Sequence, residues 1–298
     1  MSDSQMMTQM RDKHGFIAAL DQSGGSTPKA LAAYGIPEDS YSGEAAMFQL
    51  VHEMRVRIMT APSFNGDKVL AAILFEKTMD GEAQGQPVPA YLWKERGVVP
   101  FLKVDKGLEA ERDGVQLMKP ITGLDALVER AAGLGVFGTK MRSVVNLASP
   151  SGIAAIAEQQ FTIGEQIAAH GLVPILEPEV LLKSAERAAA EELLLGELKK
   201  GLDALPAHRN VMLKLSIPLK PDLYAPLMAH PRVVRVVALS GGYSRDEACA
   251  ELAKNHGMIA SFSRALVEDL RDQMSDTEFD AALGAAIEQI YRASTVKV

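Results

Sequence analysis

Cysteine is almost absent from this sequence: Cys249 is the single one in 298 residues. A disulfide framework within the chain is therefore excluded, which is typical of a reducing compartment. The first residues, MSDSQMMTQMRDKHG, contain no apolar run of the kind found in signal peptides. No segment approaches the roughly 18 consecutive apolar residues of a membrane-spanning helix. We therefore expect a cytoplasmic protein that makes no contact with a membrane.

Patterns typical of metal and nucleotide sites are also missing. The six histidines form neither HxH nor HExxH, and one cysteine cannot form a CxxC pair, so we expect no tightly bound zinc or iron. The net charge of −7 disfavours a nucleic-acid partner. No GxGxxG follows the first strand-like run, which disfavours a dinucleotide-binding fold. Linkers, repeats of fixed period and low-complexity tracts are absent, which indicates one domain over residues 1–298.

The sequence does contain eight short apolar runs separated by segments with helical periodicity. The runs are GFIAALD (15–21), AAILFE (71–76), VPFLKVD (99–105), FGTKMRS (137–143), LVPILEP (172–178), VMLKLSI (211–217), VVRVVALSG (233–241) and MIASFSR (258–264). Helical periodicity is clearest in 44–59, 152–171, 185–205 and 278–294. Alternating strands and helices predict a parallel sheet covered by helices, and eight such units favour a closed (β/α)8 TIM barrel. An open, doubly wound α/β sheet is the alternative.

The remaining segments are assigned more simply. We interpret 1–14 as a polar N-terminal segment that includes a helix. The stretches 22–43 and 77–98 are rich in turn-forming residues and are predicted to be long loops. Both follow strands, so they are expected at the C-terminal face of the barrel, where loops often form part of a site.

Polar side chains occur near the end of every strand-like run. In VMLKLSI, a period of two places Met212, Lys214 and Ser216 on one face and Leu213 and Leu215 on the other. A lysine is seldom fully buried without a partner or a task. Because the carboxyl ends of barrel strands converge at one mouth, we expect the polar residues there to face a single cavity. They are Asp21, Glu76, Lys103, Asp105, Lys140, Arg142, Glu177, Lys214, Ser240 and Arg264.

Two interpretations of these charges compete. A single charged residue at a strand end often does no more than leave the core for solvent, and paired charges can form a structural ion network. An active site is favoured by the conjunction of three lysines and three carboxylates around one centre. Burial disfavours the ammonium form of a lysine, and the free amine can attack a carbonyl to form a Schiff base. Such chemistry also needs an acid or base, for which Glu177 and Asp21 are the candidates.

Two further stretches indicate anion binding. LSGGYSRDEA (239–248) has a glycine pair between a strand and a helix, and ASFSRAL (260–266) places Arg264 at a similar junction. Main-chain N–H groups at such positions bind anions, and the loops after strands 7 and 8 of barrels often hold phosphate. DQSGGSTPKA (21–30) is either a flexible turn or, with Lys103, a second phosphate site. Two phosphate sites flanking a Schiff-base lysine predict a bisphosphorylated sugar as substrate.

The chain resembles class I fructose-1,6-bisphosphate aldolases, especially their shorter bacterial form. The motifs that carry the resemblance are ALDQSGGSTPKAL, AILFEKT, FLKVDKG, FGTKMRS, VPILEPE, LKLS, LSGGYS and SFSRAL, all in order. The resemblance implies a metal-independent lyase of glycolysis and gluconeogenesis that needs no cofactor beyond its own lysine. It also implies these catalytic residues: Lys214 as Schiff-base former, Glu177 as proton shuttle, Asp21 at the substrate 4-hydroxyl, Lys140 for charge stabilisation and Glu179 as a second carboxylate.

The same resemblance implies two groups of phosphate ligands. The 1-phosphate group comprises Ser240, Gly241, Gly242, Ser263 and Arg264, and the 6-phosphate group comprises Ser23, Ser26, Lys103 and Arg142. The sequence departs from the animal members at Gln22, where they carry glutamate, and at Ser263, where they carry glycine. Two alternatives stay open: a Schiff-base aldolase for another phosphorylated ketose such as tagatose 1,6-bisphosphate, and a non-catalytic sugar-phosphate sensor. Whether the protein forms a homo-oligomer is also open.

Overall fold

Strands and helices alternate along the chain in the computed structural model, which describes residues 2–23 and 27–298. The eight long strands are β1 (Phe16–Leu20), β2 (Val69–Leu74), β3 (Val99–Lys103), β4 (Gly138–Val145), β5 (Val173–Val180), β6 (Val211–Ser216), β7 (Val233–Leu239) and β8 (Ile259–Phe262). The helices are α1 (Ser2–Asp12), α2 (Thr27–Tyr34), α3 (Gly43–Thr60), α4 (Glu76–Met79), α5 (Val88–Arg96), α6 (Leu124–Gly133), α7 (Pro150–Ala169), α8 (Arg187–Ala204), α9 (Ala225–Met228), α10 (Arg245–Ala253), α11 (Arg264–Val267) and α12 (Asp276–Thr295). None of the helices in these ranges is long and apolar enough to cross a bilayer.

The eight long strands form a closed parallel barrel. Pairing runs from β3 through β2, β1, β8, β7, β6 and β5 to β4. β4 then pairs with β3, with Phe101 opposite Gly138 and Lys103 opposite Lys140. This closure confirms the predicted (β/α)8 barrel and excludes the open, doubly wound sheet. A short segment, Val115–Gln116, adds an antiparallel pair at the end of β4.

The strands separate two hydrophobic cores, as their period of two requires. Ala18 and Leu20 of β1 face outward and join the core between strands and helices, together with Leu213 and Leu215 of β6. The inner core fills the amino-terminal half of the barrel with side chains such as those of Ile17, Ala19, Phe101, Ile175 and Met212. Because apolar side chains already fill this lower half, the polar residues further along each strand are left to line the opposite end.

Helix α1 closes the amino-terminal end of the barrel. Met6 and Met10 are buried in the inner core, and the Gln9 amide donates to the main-chain oxygens of Leu70 and Gly97, at 2.8 Å each. The Arg235 guanidinium of β7 donates to the main-chain oxygen of Met10 at 2.9 Å. The predicted N-terminal helix is therefore present, and its apolar side forms part of the core although the segment is polar on average.

The prediction of long loops at 22–43 and 77–98 is wrong. The first stretch contains α2 and a short 3-10 turn at Glu38–Ser40, and the second contains α4, a hairpin and α5. Pro89 lies in the first turn of α5, and Gly97 ends that helix with φ of 66°. Proline in the first turn is a signal that a helix starts, and glycine just past the last turn is a signal that it ends. Neither residue need indicate a loop.

Candidate active site

A cavity of about 450 Å³ opens at the carboxyl ends of the strands. Every barrel strand except β2 supplies a lining residue from its end or from the loop that follows it. The predicted site residues that line it are Asp21, Ser23, Lys103, Asp105, Lys140, Arg142, Glu177, Glu179, Lys214, Ser240, Gly241, Ser263 and Arg264. Seven strands therefore bring into one cavity residues that are spread over most of the sequence.

Lys214 projects from β6 into the barrel, with only 5% of its side chain exposed. Its position follows from the strand pattern, because Met212 lies below it in the inner core and Leu213 and Leu215 point outward. The Lys214 Nζ lies 3.0 Å from Oε1 of Glu177. A carboxylate at this distance can accept a proton from the amine and return it to a nearby oxygen.

Lys140 of β4 lies at the centre of the charged cluster. Its Nζ is 2.6 Å from Oδ2 of Asp21, 2.9 Å from Oε2 of Glu177 and 3.9 Å from Oδ2 of Asp105. Burial alone lowers the pKa of this lysine, but Asp21, Glu177 and Asp105 outweigh that effect and raise it above its ordinary value. Lys140 is therefore a fixed cation at neutral pH.

Asp21 and Glu177 are the carboxylates that this cation holds in place. Burial by itself raises the pKa of each, yet Lys140 and Lys214 together bring both below their ordinary values. Both groups are consequently ionised at neutral pH. Glu177 lies between the two lysines, with one oxygen towards each. Opposite charges thus alternate in the order Asp21, Lys140, Glu177, Lys214.

Two further ion pairs lie towards the rim of the cavity. Lys103 Nζ is 2.8 Å from Oδ1 of Asp105, and Arg142 Nε is 2.5 Å from Oε2 of Glu179. The Arg142 main-chain N–H also donates to Asp105 at 3.2 Å. Burial by itself lowers the pKa of Arg142, but the charge of Glu179 has the larger effect, so the pKa is raised above its ordinary value. Arg142 therefore remains cationic beside the opening, where an anionic substrate group would enter.

The loops after β7 and β8 form the second basic end of the cavity. Gly241 and Gly242 have φ of 61° and 115°, a conformation that glycine adopts without strain. A Cβ built at Gly242 would lie 3.8 Å from Nη2 of Arg264, so the guanidinium sits beside the glycine turn. Gly242 itself does not line the cavity, whereas Ser240 and Gly241 do.

The two positions that depart from the animal pattern contact each other. The Gln22 Nε2 donates to the Ser263 Oγ at 2.6 Å, which joins the loop after β1 to the loop after β8. A glycine at position 263 would offer no hydroxyl for this bond. The two departures therefore form one interaction that links the opposite phosphate-binding loops predicted from sequence.

A family model described as fructose-bisphosphate aldolase class-I matches residues 6–223. The chain belongs to the class-I fructose-bisphosphate aldolase family.

Two solved structures show the same fold as this aldolase family member. The fructose-bisphosphate aldolase of Plasmodium falciparum, solved with TRAP and a small-molecule inhibitor, has a TM-score of 0.77 and 20% identity, covering 98% of this chain and 94% of that chain. Cgl0159 of Corynebacterium glutamicum has a TM-score of 0.52 and 14% identity, covering 98% and 92%. At these identities both likenesses concern the fold alone. Class I aldolases are lyases that use a lysine Schiff base.

Glu76, like Gly242, is a predicted site residue that does not line the cavity of the aldolase barrel. It begins α4 and its carboxylate pairs with Lys106 and Arg130, each at 2.7 Å. Ala72 and Leu74, four and two residues before it on the same face of β2, are outward-facing members of the outer core. The same period of two therefore carries position 76 outward, away from the cavity.

Other differences concern residues that sequence reasoning overlooked. Ser261 and Leu239 line the cavity, and the inward positions Ile259 and Val237, two residues earlier, could have identified both. Gly107 and Leu108 also line it, but they follow β3 in a loop for which the sequence offers no comparable signal. Ser26, a predicted phosphate ligand, lies outside the described residues.

Within residues 2–23 and 27–298, no cluster of three or more histidine, cysteine, aspartate or glutamate side chains has a geometry that could hold a metal ion. The carboxylates of the aldolase cavity are instead each paired with a lysine or an arginine.

Proposed function

We propose that the protein is a cytoplasmic fructose-1,6-bisphosphate aldolase of glycolysis and gluconeogenesis, with Lys214 as its Schiff-base residue and no metal requirement. It would cleave fructose 1,6-bisphosphate reversibly to dihydroxyacetone phosphate and glyceraldehyde 3-phosphate. The observation that carries the proposal is the placement of the Lys214 amine, buried in the barrel mouth 3.0 Å from Glu177. Family membership and the basic groups at both ends of the cavity support it.

The first step joins the substrate to Lys214. The Nζ lone pair forms a bond to the ketose C2 while the carbonyl electron pair moves to oxygen, giving a carbinolamine. Two protons pass from the nitrogen to the oxygen through Glu177: the one that the protonated lysine releases before the attack converts the alkoxide to a hydroxyl, and the one that the nitrogen releases afterwards converts that hydroxyl to water, which leaves. The product is a protonated imine, whose positive charge withdraws electrons from the neighbouring carbon.

The second step breaks the carbon–carbon bond. Asp21, ionised by its lysine neighbours, accepts the proton of the 4-hydroxyl. The C3–C4 electron pair then moves towards the imine nitrogen, which releases the aldehyde product and leaves an enamine on Lys214. Protonation at C3 and hydrolysis by water return the ketone and the free amine. Lys140, a fixed cation 2.6 Å from Asp21, stabilises negative charge that develops on the substrate oxygens.

The substrate phosphates would occupy the two basic ends of the cavity. Arg264 and the turn at Ser240, Gly241 and Gly242, together with the main chain at Ser263, would hold the 1-phosphate. Ser23, Ser26, Lys103 and Arg142 would serve the 6-phosphate. In this assignment Glu179 orients Arg142, since the two are joined by an ion pair of 2.5 Å. A guanidinium held by a carboxylate on one edge keeps its other N–H groups available for phosphate.

Borohydride trapping tests this proposal. Incubation with dihydroxyacetone phosphate and borohydride should inactivate the enzyme and add one adduct, located by peptide mass spectrometry at Lys214. Lys214→Met should lower kcat for cleavage at least about a thousandfold, because the covalent route is removed. Lys199→Met, at an exposed position of α8, is the matched control and should retain full activity. An adduct on another lysine, or full turnover by Lys214→Met, would refute the assignment.

Two further measurements test the substrate and the absence of a metal requirement. The value of kcat/KM should be higher for fructose 1,6-bisphosphate than for tagatose 1,6-bisphosphate, which differs only in stereochemistry. A preference for tagatose 1,6-bisphosphate would keep the Schiff-base mechanism and change the substrate. Activity should survive EDTA, and its loss with recovery on adding a divalent metal would contradict metal independence.

A further inference from the structure

A second cavity, of about 290 Å³, lies between α3 and α4 and shares no lining residue with the active-site cavity. Arg55 and His52 of α3 and Lys77 of α4 line it, together with small and aromatic side chains. Among the described residues that line it there is no aspartate or glutamate. The cavity is therefore basic and has no carboxylate in its own wall.

Arg55 is the most unusual of these groups, because its side chain is only 1% exposed. Its Nη1 donates to Thr78 Oγ1 at 2.8 Å and its Nη2 donates to the main-chain oxygen of Gln22. Its buried Nε has no hydrogen-bond partner, and no carboxylate lies within 4.0 Å of the guanidinium, in the part of the chain that the structure describes. Burial lowers the pKa of Arg55 to about 10, against the opposing effect of Asp21. A buried cation of this kind is costly unless an anion accompanies it.

Lys77 adds to this positive charge, and the His52 ring lies beside it. The His52 ring nitrogen Nε2 lies 3.0 Å from the main-chain oxygen of Glu82, so it carries the proton and donates. The buried Nδ1 of His52 has no partner among the described residues. The Lys77 ammonium lies 3.5 Å from the centroid of the Phe48 ring and forms no ion pair within residues 2–23 and 27–298. Arg55, His52 and Lys77 thus line the same cavity, and none of them has a carboxylate partner among the described residues.

We propose that this cavity is a binding site for a phosphate-type oxyanion, either free phosphate or the phosphoryl group of a small metabolite. Such an anion would accept hydrogen bonds from Arg55 and a charge contact from Lys77, and it would supply the negative charge that the burial of Arg55 requires. The volume accommodates a phosphoryl group with a short carbon chain. The site does not depend on the proposed function, because it is formed by α3 and α4 outside the barrel.

Arg55 also connects this site to the active-site cavity. The same guanidinium that lines the second cavity holds the main-chain oxygen of Gln22, the residue after Asp21. Gln22 in turn donates to Ser263 beside Arg264. A bound anion would stabilise the cationic form of Arg55. Because Arg55 holds the main-chain oxygen of Gln22, the anion would also stabilise the loop that follows β1.

Crystals soaked in tungstate, a tetrahedral oxyanion with a strong anomalous signal, test the site directly. The wild-type protein should show an anomalous peak between α3 and α4, within hydrogen-bond distance of Arg55, besides any peak in the barrel mouth. Lys77→Glu should remove this peak and leave the barrel-mouth peaks unchanged. Since Lys77 is exposed, this variant is expected to fold even if substitutions of the buried Arg55 do not.

Equilibrium dialysis with radiolabelled inorganic phosphate gives the matching solution measurement. Lys77→Glu should weaken one class of phosphate sites at least tenfold, whereas Lys94→Glu, an equal charge change at an exposed position of α5, should not. Glycerol 3-phosphate that binds there at least tenfold more tightly than phosphate would identify a metabolite as the ligand, and equal binding would identify free phosphate. Tungstate confined to the barrel mouth, or phosphate binding unchanged in Lys77→Glu, would overturn the proposal.

Discussion

Four ionisable side chains in the barrel mouth, those of Asp21, Lys140, Glu177 and Lys214, are buried with less than a tenth of each exposed, and each lies beside a group of opposite type. Removing a charge from water is costly, so such groups persist only when their partners are well placed. Asp21 and Glu177 both depend on Lys140, which among the described residues is the one cation in contact with both. The roles proposed for the two carboxylates therefore depend on a residue that forms no bond to the substrate carbon chain.

Replacing Lys140 should reveal this dependence as a change in the stability of the protein with pH. In the wild type the pKa values of Asp21 and Glu177 are lowered, so their stabilising ionisation is present at neutral pH and is lost only below about pH 4. Lys140→Met leaves the two carboxylates facing each other without their shared cation. The free energy of unfolding should fall by about 3–5 kcal/mol at neutral pH. Both pKa values should rise, so the deficit relative to the wild type should be largest at neutral pH and should shrink as acid protonates the two carboxylates.

Urea unfolding of Lys140→Met and the wild type between pH 4 and pH 8 measures both effects. Lys199→Met, on the exposed face of α8, should follow the wild-type curve. The pKa of Lys140 is raised, so the contribution of its charge to the free energy of unfolding of the wild type is fully present at any pH below the ordinary pKa of lysine. This contribution is lost only at strongly alkaline pH. Parallel stability curves for Lys140→Met and the wild type would show that the carboxylates do not depend on this cation.

At the scale of single elements, β4 packs tightly against its neighbours at Gly138. Gly138 faces the barrel interior two residues before Lys140, between β3 and β5. A Cβ at this position would lie 2.2 Å from the main-chain oxygen of Val173 and 2.5 Å from the Phe101 ring. The missing side chain lets the Phe101 ring fill the barrel directly below the charged residues.

Gly138→Ala should therefore destabilise the protein by about 1–3 kcal/mol, because a main-chain oxygen cannot move aside as a flexible side chain can. Gly196→Ala in α8 is the matched control, since a Cβ there meets no atom within 4 Å. It should stabilise the helix by up to about 1 kcal/mol. Chemical denaturation of both variants measures the difference, and equal effects would mean that β4 has more room than the structure indicates.

At the scale of the whole molecule, the two ends of the barrel have different tasks. The carboxyl ends of the strands carry the charged cavity, and the amino ends are closed by α1 through Met6 and Met10. The inner core between them separates the two ends with buried side chains such as Phe101 and Ile175. Stability and activity should consequently respond separately to changes at the two ends.

Met10→Ala tests this separation, because Met10 is fully buried in the inner core. Loss of its side chain should lower the free energy of unfolding by about 2–5 kcal/mol. The values of kcat and KM at a temperature where the variant is folded should remain those of the wild type. Thr8→Ala, on the exposed side of the same helix, should change neither stability nor activity. A large loss of kcat in folded Met10→Ala would show that the two ends are coupled.

The barrel and most of its cavity could be predicted from the sequence alone. Eight apolar runs separated by helical periodicity indicate the closed parallel sheet, and a period of two separates inward from outward side chains. A polar residue at an inward position near a strand end has only the barrel mouth to occupy. This local rule predicted that Asp21, Lys140, Glu177 and Lys214 would share one cavity. It fails for Glu76, because Ala72 and Leu74 on the same face of β2 point outward.

Only the tertiary structure decided which of these charges are partners. Lys140 contacts Asp21, which follows β1, and Glu177 of β5. Which carboxylates it contacts depends on the relative positions of the strands and on the length of the side chains, and no local pattern specifies these. The burial of Arg55 likewise depends on packing between α3, α4 and the loop after β1, which are separate in sequence. Periodicity encodes the direction in which a side chain points, because the backbone geometry of one strand or helix is sufficient for that. Distances between groups on different elements arise only when the whole chain has packed.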